Sequence, residues 1–211
     1  LLNKFGSFAI LATLFFSLGA GAKEKSSDDL RVMSFNIRLG VAKDGPNRWD
    51  LRKDLVVETI RKFNPDLLGL QEVFPMQEKH LKERLPGYAY YGRSRLIDPQ
   101  NGEACSIMFR KDRFEAVEKT TFWLSETQEK PGSKSWDSSL PRIANLVHLA
   151  DRKAGGQKLM FLNTHFDHRG KVAREEAAKI IQKRVRDLGE KARIVVAGDF
   201  NSGEGSKPYQ S

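Results

Sequence analysis

The stretch Arg193-Ile-Val-Val-Ala-Gly-Asp-Phe-Asn201 places two polar side chains at the end of a short apolar run. The run is rich in β-branched residues, so it predicts a buried strand over 193–201 with Asp199 and Asn201 on one side of its end. A charge beside buried sequence is costly unless it has a partner. Taken alone, Asp199 could cap a helix and Asn201 could belong to a turn.

Three other stretches set polar groups beside apolar sequence: Ser34-Phe-Asn-Ile-Arg38, Leu70-Gln-Glu-Val73 and Asn163-Thr-His-Phe-Asp-His168. Singly, each polar group could be a strand terminator or a turn residue. Their joint occurrence at predicted strand ends favours one shared site. The oxygen donors suit a hard ion such as Mg²⁺ or Mn²⁺, whereas one His and no neighbouring Cys argue against structural zinc. These donors are Asn36, Glu72, Asp199 and Asn201.

The first half of the chain alternates strand and helix patterns. Apolar residues occupy every second position from Arg31 to Leu39 and form a nearly continuous run from Asp66 to Val73, which predicts two strands. Helical spacing predicts helices from Asp50 to Phe63 and from Pro75 to Leu85, and a proline follows each of them.

The second half is richer in strand patterns. Strands are predicted at Cys105–Arg110, Arg142–Leu149 and Lys158–Asp167. In the last of these, the odd-numbered positions share one face. A long amphipathic helix with an apolar stripe from Ala173 to Leu188 precedes the strand at 193–201. From Leu30 on no repeat or low-complexity tract interrupts the pattern, so we predict one α/β domain.

The order of the four motifs resembles the endonuclease/exonuclease/phosphatase superfamily, which has the DNase I-like fold. The resemblance extends from Leu30 to Ser211, and three further segments resemble an exported bacterial branch of the superfamily. Those segments are residues 122–126, residues 131–137 and Pro141-Arg142. The resemblance implies a four-layer α/β sandwich, in which two facing mixed β-sheets are flanked by helices. It also implies hydrolysis of a phosphate ester with a divalent metal ion, Mg²⁺ or Mn²⁺.

The resemblance further implies a role for each motif residue. Glu72 would be the metal ligand, and Asn36 would support both metal and phosphate. His165 would contact the phosphoryl group. Asp199 would orient or deprotonate the attacking water, and Asn201 would position phosphate and water. Elementary chemistry agrees, because a metal and hydrogen-bond donors neutralise the charge on phosphoryl oxygens while a carboxylate aligns water for in-line attack.

Three arginines could hold substrate phosphate, or could equally be solvated: Arg142, Arg169 and Arg174. Asp167 and His168 could orient His165, or could form a hydrogen-bonded pair in a loop. The tryptophans could stack bases or sugars, although packing is their more common use. They are Trp49, Trp123 and Trp136. No catalytic role is assigned to Glu103 or Cys105, which precede a predicted strand.

The N-terminus has the pattern of a secretory signal. Residues 5–22 carry no charge, follow Lys4 and end in Ala20-Gly-Ala22, a small-x-small cleavage pattern. We therefore predict a signal peptide over 1–22, a polar linker over 23–29 and an exported protein, periplasmic or secreted, with no stable membrane insertion after cleavage. An uncleaved anchor is the alternative, because about 18 apolar residues can just span a bilayer.

Family members continue beyond Gly-Asp-x-Asn to a Ser-Asp-His element whose Asp and His complete the metal and phosphate site. The present sequence ends ten residues after Asn201. We therefore expect residues 30–211 to be an endonuclease/exonuclease/phosphatase domain without its C-terminal part. Full activity is expected to require the longer protein.

Charge and composition bear on the partner. The 211 residues carry a net charge of +9, which becomes +8 once the leader and its single charged residue, Lys4, are removed. Positive charge suits polyanions, so the leading prediction is hydrolysis of phosphodiesters, as in a nuclease. A phospholipid or sugar-phosphate phosphoesterase is one alternative, and a non-catalytic binding domain of the same fold is another. A hydrophobic share of 39% excludes wholesale disorder.

Overall fold

Two four-stranded sheets form the centre of the structure, a computed structural model that describes residues 29–188 and 193–210. The predicted signal peptide and all but the last residue of the predicted linker lie outside the described residues. The helices and strands are β1 (Val32–Asn36), α1 (Trp49–Phe63), β2 (Leu67–Val73), α2 (Pro75–Arg84), β3 (Tyr88–Tyr91), β4 (Ala104–Arg110), β5 (Phe114–Trp123), β6 (Ile143–Asp151), β7 (Gln157–His165), α3 (Lys171–Leu188), β8 (Arg193–Asp199) and α4 (Lys207–Gln210).

Each sheet contains one parallel pair of strands. The first sheet has the order β1-β2-β4-β3, with β1 and β2 parallel and the other pairs antiparallel. The second has the order β5-β6-β7-β8, with β7 and β8 parallel. A parallel pair needs a crossover connection, which α1 and α3 provide. The C-terminal ends of each parallel pair therefore lie at the same edge of their sheet.

Apolar side chains fill the space between the sheets and cover their outer faces. Between the sheets, side chains of β2 and β4 meet those of β6 and β7: Leu67, Ile107, Phe109, Val147, Leu149 and Phe161. On the outer face of the first sheet, α1 and α2 contribute Val56, Ile60 and Leu81. On the outer face of the second, α3 contributes Ala177, Ala178 and Ile181. This arrangement confirms the predicted four-layer α/β sandwich.

A buried asparagine ties the two sheets together. Asn163 on β7 donates through Nδ2 to the carbonyl oxygens of Leu70 and Ser106, both at 2.8 Å, and its Oδ1 accepts from Gln71 Nε2 at 2.7 Å. A Cβ on Gly69 would lie 2.7 Å from Asn163 Oδ1, so the glycine leaves the space that this amide occupies. These bonds align β7 with β2 and β4, and thereby align the side chains at the strand ends.

Replacing Asn163 by Ala is expected to lower the free energy of unfolding by about 2–3 kcal/mol, because two buried carbonyl oxygens would lose their donors. Urea denaturation followed by circular dichroism measures this loss. The matched control is Asn101→Ala, which removes an exposed loop amide bonded to Asp98 and should cost less than about 0.5 kcal/mol. An Asn163→Ala protein as stable as the control would contradict the bridging role.

Strands β1 and β7 end earlier than the sequence pattern predicted, and so does β8, which ends at Asp199 rather than at Asn201. β1 ends at Asn36 rather than at Leu39, because the backbone is left-handed at Arg38 (φ 58°), whose N–H donates to Asn36 Oδ1 at 2.9 Å. β7 ends at His165, so Asp167 does not share a strand face with it. After β1 and after β7 the chain leaves the sheet where a side chain, Asn36 or Asp167, accepts backbone N–H groups that no longer pair with a neighbouring strand.

The bounds of the other predicted elements are confirmed to within two residues at each end, but strands β3 and β5 are absent from the sequence prediction. The predicted burial of β8 is wrong: this strand lies at the edge of its sheet, and of its seven residues Ala197 alone is buried. β3 has only four residues, all half-buried. β5 is an edge strand with a bulge between Ala116 and Glu118, which breaks the alternation of its pattern. Its exposed charged residues suit a sheet edge, where they discourage pairing with other chains. Within the described ranges, no helix has the length and apolar character needed to cross a bilayer.

Candidate active site

Side chains near four strand ends converge on one cleft. Asn36 and Glu72 lie near the ends of β1 and β2, and His165 and Asp199 lie at the ends of β7 and β8. The cleft has a volume of about 330 Å³, and Glu72, His165, Asp199 and Asn201 are among its lining residues. Asn36 is hydrogen-bonded to two of them. The structure therefore brings together all five residues to which the resemblance gave a role.

Asn36 lies between the two carboxylates of the cleft. Its Nδ2 donates one hydrogen to Glu72 Oε1 and the other to Asp199 Oδ2, both at 2.9 Å. Twice this distance, 5.8 Å, is the most that can separate those two oxygens. The Oδ1 atom already accepts the Arg38 N–H. In this orientation the Asn36 amide positions Glu72 and Asp199, and metal ligation by Asn36 stays a prediction.

A bulge near the end of β2 and a left-handed backbone at Glu72 (φ 62°) set the position of this carboxylate. Its Oε2 accepts the N–H of Leu39 at 2.8 Å, so both oxygens are held. Left-handed backbone is strained for residues with a side chain, and such strain concentrates at functional sites. Arg38 and Asn201, which line the same cleft, are also left-handed.

His165 is buried in the cleft wall and neutral at physiological pH. Burial and, secondly, the charge of Arg142 lower the pKa of His165 to about 4, although the charges of Asp199 and Glu72 partly oppose this shift. Its Nε2 lies 3.7 Å from Asp199 Oδ2. A neutral imidazole carries one N–H donor. His165 can therefore donate a hydrogen bond to a phosphoryl oxygen.

The turn after β8 holds Asp199 in a fixed orientation. Asp199 Oδ1 accepts the N–H of Asn201 at 3.1 Å, while Oδ2 is bonded to Asn36. Asn201 Nδ2 donates to the carbonyl oxygen of Phe166 at 3.0 Å, which ties this turn to the end of β7. The Asp199 side chain remains 31% exposed. A water molecule in the cleft can therefore reach this carboxylate.

Of the three arginines predicted to hold phosphate, only Arg142 lines the cleft. Its Nη2 is hydrogen-bonded with His168 Nδ1 at 3.0 Å, and its Nε donates to Asp167 Oδ2 at 3.4 Å. Arg169 is exposed, and Arg174 donates to the carbonyl oxygen of Asp167 beside a neighbouring groove. The structure therefore places Arg142 at the cleft and the other two arginines outside its lining, and phosphate binding by Arg142 stays a prediction.

Asp167 organises a loop beside the cleft rather than orienting His165. Its carboxylate accepts the Ser139 hydroxyl at 2.7 Å and the N–H groups of Arg169 and Gly170 at 2.9 and 2.7 Å. Burial alone would raise the pKa of Asp167, but the hydrogen bonds from Gly170, Ser139 and Arg169 outweigh it, so this pKa lies well below its ordinary value. The charged carboxylate therefore stabilises the folded state.

Replacing Asp167 by Asn is expected to lower the free energy of unfolding at pH 7 by about 2–3 kcal/mol. Because the folded-state pKa is depressed, the stabilisation is present above the ordinary carboxyl pKa of about 3.9 and declines as the pH falls below it. The difference in Tm between wild type and variant should therefore shrink between pH 7 and pH 3. The exposed Asp112 provides the control, as Asp112→Asn. A Tm difference that is equal at both pH values would contradict the assignment.

None of the three tryptophans lines the cleft. Trp49 and Trp123 are buried in the core, where Trp123 Nε1 donates to the carbonyl oxygen of Arg95 at 2.8 Å. Trp136 lies partly exposed on the loop before β6. Core packing, the more common use of tryptophan, is confirmed for Trp49 and Trp123.

The comparison with known families decides the assignment. The model of the Endonuclease/Exonuclease/phosphatase family matches residues 33–211. The chain belongs to this family. Its two four-stranded sheets match solved structures of family members, which confirms the DNase I-like fold.

Two solved structures and one curated relative illustrate the similarity. An endonuclease/exonuclease/phosphatase from Bacteroides vulgatus is 36% identical with a TM-score of 0.82, covering 86% of this chain and 69% of that one. A mannosyl-6-phosphatase from Bacteroides thetaiotaomicron is 37% identical with a TM-score of 0.81, and the match again covers 86% of this chain and 69% of that one. The CCR4-Not complex 3'-5'-exoribonuclease subunit Ccr4 of Candida albicans is 28% identical over 88% of this chain and 29% of its own length. The chain thus spans about two thirds of those solved chains and under a third of that curated relative.

The sequence analysis gave no role to three charged residues that line the cleft: Arg38, Arg95 and Glu103. Arg38 belongs to a quoted motif, but nothing in the pattern assigned it a role. Arg95 and Glu103 lie in the connection between β3 and β4, which has no periodicity. One signal was available: Glu103 directly precedes the buried apolar run of β4. The predicted cleft residues likewise lie next to apolar runs.

The donor set of the cleft suits the hard divalent ion on which this family's chemistry is expected to depend. In the part of the chain that the structure describes, no group of three or more His, Cys, Asp and Glu side chains is arranged to hold a metal. The cleft does hold the carboxylates of Glu72 and Asp199 close together, with one amide between them. Neighbouring carboxylates favour a cation, and oxygen ligands favour Mg²⁺ or Mn²⁺. The residues present therefore fit such an ion, and Glu72 would be its ligand, as the resemblance implies.

Proposed function

We propose that the full-length protein is an exported, Mg²⁺- or Mn²⁺-dependent phosphoesterase that hydrolyses a phosphorylated sugar or a similar small molecule by in-line attack of water. The observation that carries the proposal is the cleft itself, in which a compact set of catalytic groups is surrounded by balanced charges. Membership of the family supports phosphoester hydrolysis in general. The substrate class and export are the finer parts of the proposal.

Glu72 would hold the metal ion, since both of its oxygens are already oriented by Asn36 and Leu39. When bound, the ion supplies charge neutralisation on the phosphoryl oxygens and the leaving oxygen. Asn36 keeps Glu72 and Asp199 at a constant separation through its two N–H groups. Such preorganisation means that little reorganisation is needed during the reaction.

Asp199 orients the attacking water and accepts its proton as the bond to phosphorus forms. Its partial exposure leaves it accessible to water, and its bonds to Asn36 and Asn201 fix its direction. His165, kept neutral by burial and by Arg142, donates an N–H to a phosphoryl oxygen. Arg142 adds positive charge to the same side of the cleft. These groups together stabilise the negative charge of the transition state.

The charges of the cleft favour a small substrate over a polymer. The lining includes three arginines, Arg38, Arg95 and Arg142, and three carboxylates, Glu72, Glu103 and Asp199. A surface that binds the phosphate backbone of a nucleic acid would carry an excess of positive charge. A volume of about 330 Å³ is suited to a ligand the size of a sugar phosphate. The similarity to a mannosyl-6-phosphatase at 37% identity supports the same class.

Phosphodiesters of nucleic acid are the second candidate. The positive net charge and the similarity to an exoribonuclease subunit support them. The non-catalytic alternative is disfavoured, because a binding domain has no need for a water-accessible carboxylate beside a metal ligand.

The test is hydrolysis by the full-length protein with Mg²⁺, assayed on mannose 6-phosphate, single-stranded DNA, RNA and sphingomyelin. We expect release of inorganic phosphate from mannose 6-phosphate at a kcat/KM at least tenfold above that for the other substrates. Preferential cleavage of DNA or RNA would replace the leading candidate by the second. No hydrolysis of any of the four would favour the non-catalytic domain.

A further inference from the structure

An ion pair that has no role in the chemistry above forms part of the cleft wall. Arg95 binds Glu103 through two parallel bonds, Nη1 to Oε2 at 2.7 Å and Nη2 to Oε1 at 3.0 Å. Both residues line the cleft described above. They also line a small recess of about 10 Å³, together with Glu72, Arg142 and His165. The pair is therefore adjacent to the groups that would bind the phosphoryl group.

The surrounding backbone holds this pair rigidly. The N–H of Arg95 donates to the carbonyl oxygen of Glu103 at 3.0 Å, and the carbonyl oxygen of Arg95 accepts from Trp123 Nε1 at 2.8 Å. The side chains are only 13% and 14% exposed. Burial raises the pKa of Glu103 and lowers the pKa of Arg95, which reflects the desolvation of both groups. Partly desolvated, preoriented groups discriminate strongly between ligands that satisfy them and ligands that do not.

The chemistry of the pair matches a hydroxyl group better than a phosphate. Because Glu103 neutralises Arg95, the pair adds no net charge that would attract a phosphate. The carboxylate keeps lone pairs beyond the two that the guanidinium uses, so it can accept from an O–H. The Nε of Arg95 is buried and has no hydrogen-bond partner among the described residues. The pair therefore offers a preoriented carboxylate acceptor to a ligand hydroxyl at the wall of the cleft.

We propose that Arg95 and Glu103 form the subsite that recognises the hydroxyl groups of a sugar-like leaving group, and so determine specificity. This inference rests on the proposed hydrolysis of sugar phosphates. Leaving groups without hydroxyls would reach the same phosphoryl site but would leave this subsite unused. The alternative is that the pair merely joins the two ends of the connection between β3 and β4.

The experiment compares two substrates of the full-length, Mg²⁺-loaded protein: mannose 6-phosphate and phenyl phosphate, whose leaving group has no sugar hydroxyl. Glu103→Gln keeps the size of the side chain but loses its charge. We expect kcat/KM to fall about 10- to 100-fold on mannose 6-phosphate and less than about threefold on phenyl phosphate. The matched control is Glu115→Gln, which breaks an exposed pair with Arg152 on the edge strand β5 and should change neither value.

Arg95→Lys is the second variant, because it keeps the charge but cannot form the two parallel bonds. It should give the same substrate-dependent loss, and it decides the question if Glu103→Gln fails to fold in a thermal melt. Equal losses on both substrates, or no loss on either, would overturn the subsite while leaving the proposed function intact. A wild-type protein that hydrolyses phenyl phosphate but no sugar phosphate would overturn the proposed substrate class, and the subsite with it.

Discussion

Replacing Asp199 by Asn is expected to lower kcat by about 10²- to 10⁴-fold while leaving KM nearly unchanged. Asparagine has the shape of aspartate, so the bond from the Asn201 N–H can persist. The carboxylate that accepts the proton of water is lost, and that role belongs to the transition state rather than to substrate binding. Steady-state kinetics of the full-length protein on its best substrate measure both parameters.

The control for this variant is Asp187→Asn on α3, which removes an exposed carboxylate that is paired with Lys183 and does not line the cleft. It should leave kcat within about twofold of wild type. An Asp199→Asn protein with near-wild-type kcat would show that another group activates the water. A large rise in KM with kcat unchanged would assign Asp199 to substrate binding instead.

Replacing Glu72 by Gln is expected to weaken metal binding and to lower activity on the order of 10²- to 10³-fold at low Mg²⁺. The neutral amide is a poorer ligand for a hard cation, although it preserves the size of the side chain. Because Asp199 would remain in place, raising the Mg²⁺ concentration should restore part of the activity. A titration of activity against Mg²⁺ measures the shift in apparent metal affinity.

Glu58 provides the matched control as Glu58→Gln, since its side chain lies exposed on α1. Its Mg²⁺ titration should overlay that of wild type. A Glu72→Gln protein whose midpoint for Mg²⁺ is unchanged would contradict the assignment of Glu72 as a metal ligand. Complete loss of activity with no rescue at any Mg²⁺ concentration would contradict the division of roles between Glu72 and Asp199.

The strand-end residues could be predicted from sequence because their signal is local. An apolar run followed by Asp199, or a buried apolar run with Glu72 near its end, predicts a charge at the end of a strand, and this is visible without any structure. The parallel pairs β1-β2 and β7-β8 then bring these ends to one edge. The convergence itself was implied by the family resemblance and is now seen in the hydrogen bonds of Asn36.

The remaining features depend on contacts that sequence patterns do not encode. The orientation of the Asn36 amide follows from the left-handed turn at Arg38, which takes up its oxygen. Asp167 binds a loop almost thirty residues earlier in the chain, so its alternation with His165 in the sequence was misleading. The pairing of Arg95 with Glu103 occurs in a connection without periodicity. Each of these is a tertiary contact that overrides a local pattern.

The most direct measurement is the hydrolysis of a phosphate ester by full-length protein stripped of metal with EDTA, assayed before and after Mg²⁺ is restored, alongside the Asp199→Asn variant. A single metal-dependent site built from Asn36, Glu72, His165, Asp199 and Asn201 predicts no hydrolysis after stripping, full recovery with Mg²⁺, and little recovery in the variant. Hydrolysis that persists in EDTA, or a variant that recovers like wild type, would contradict it.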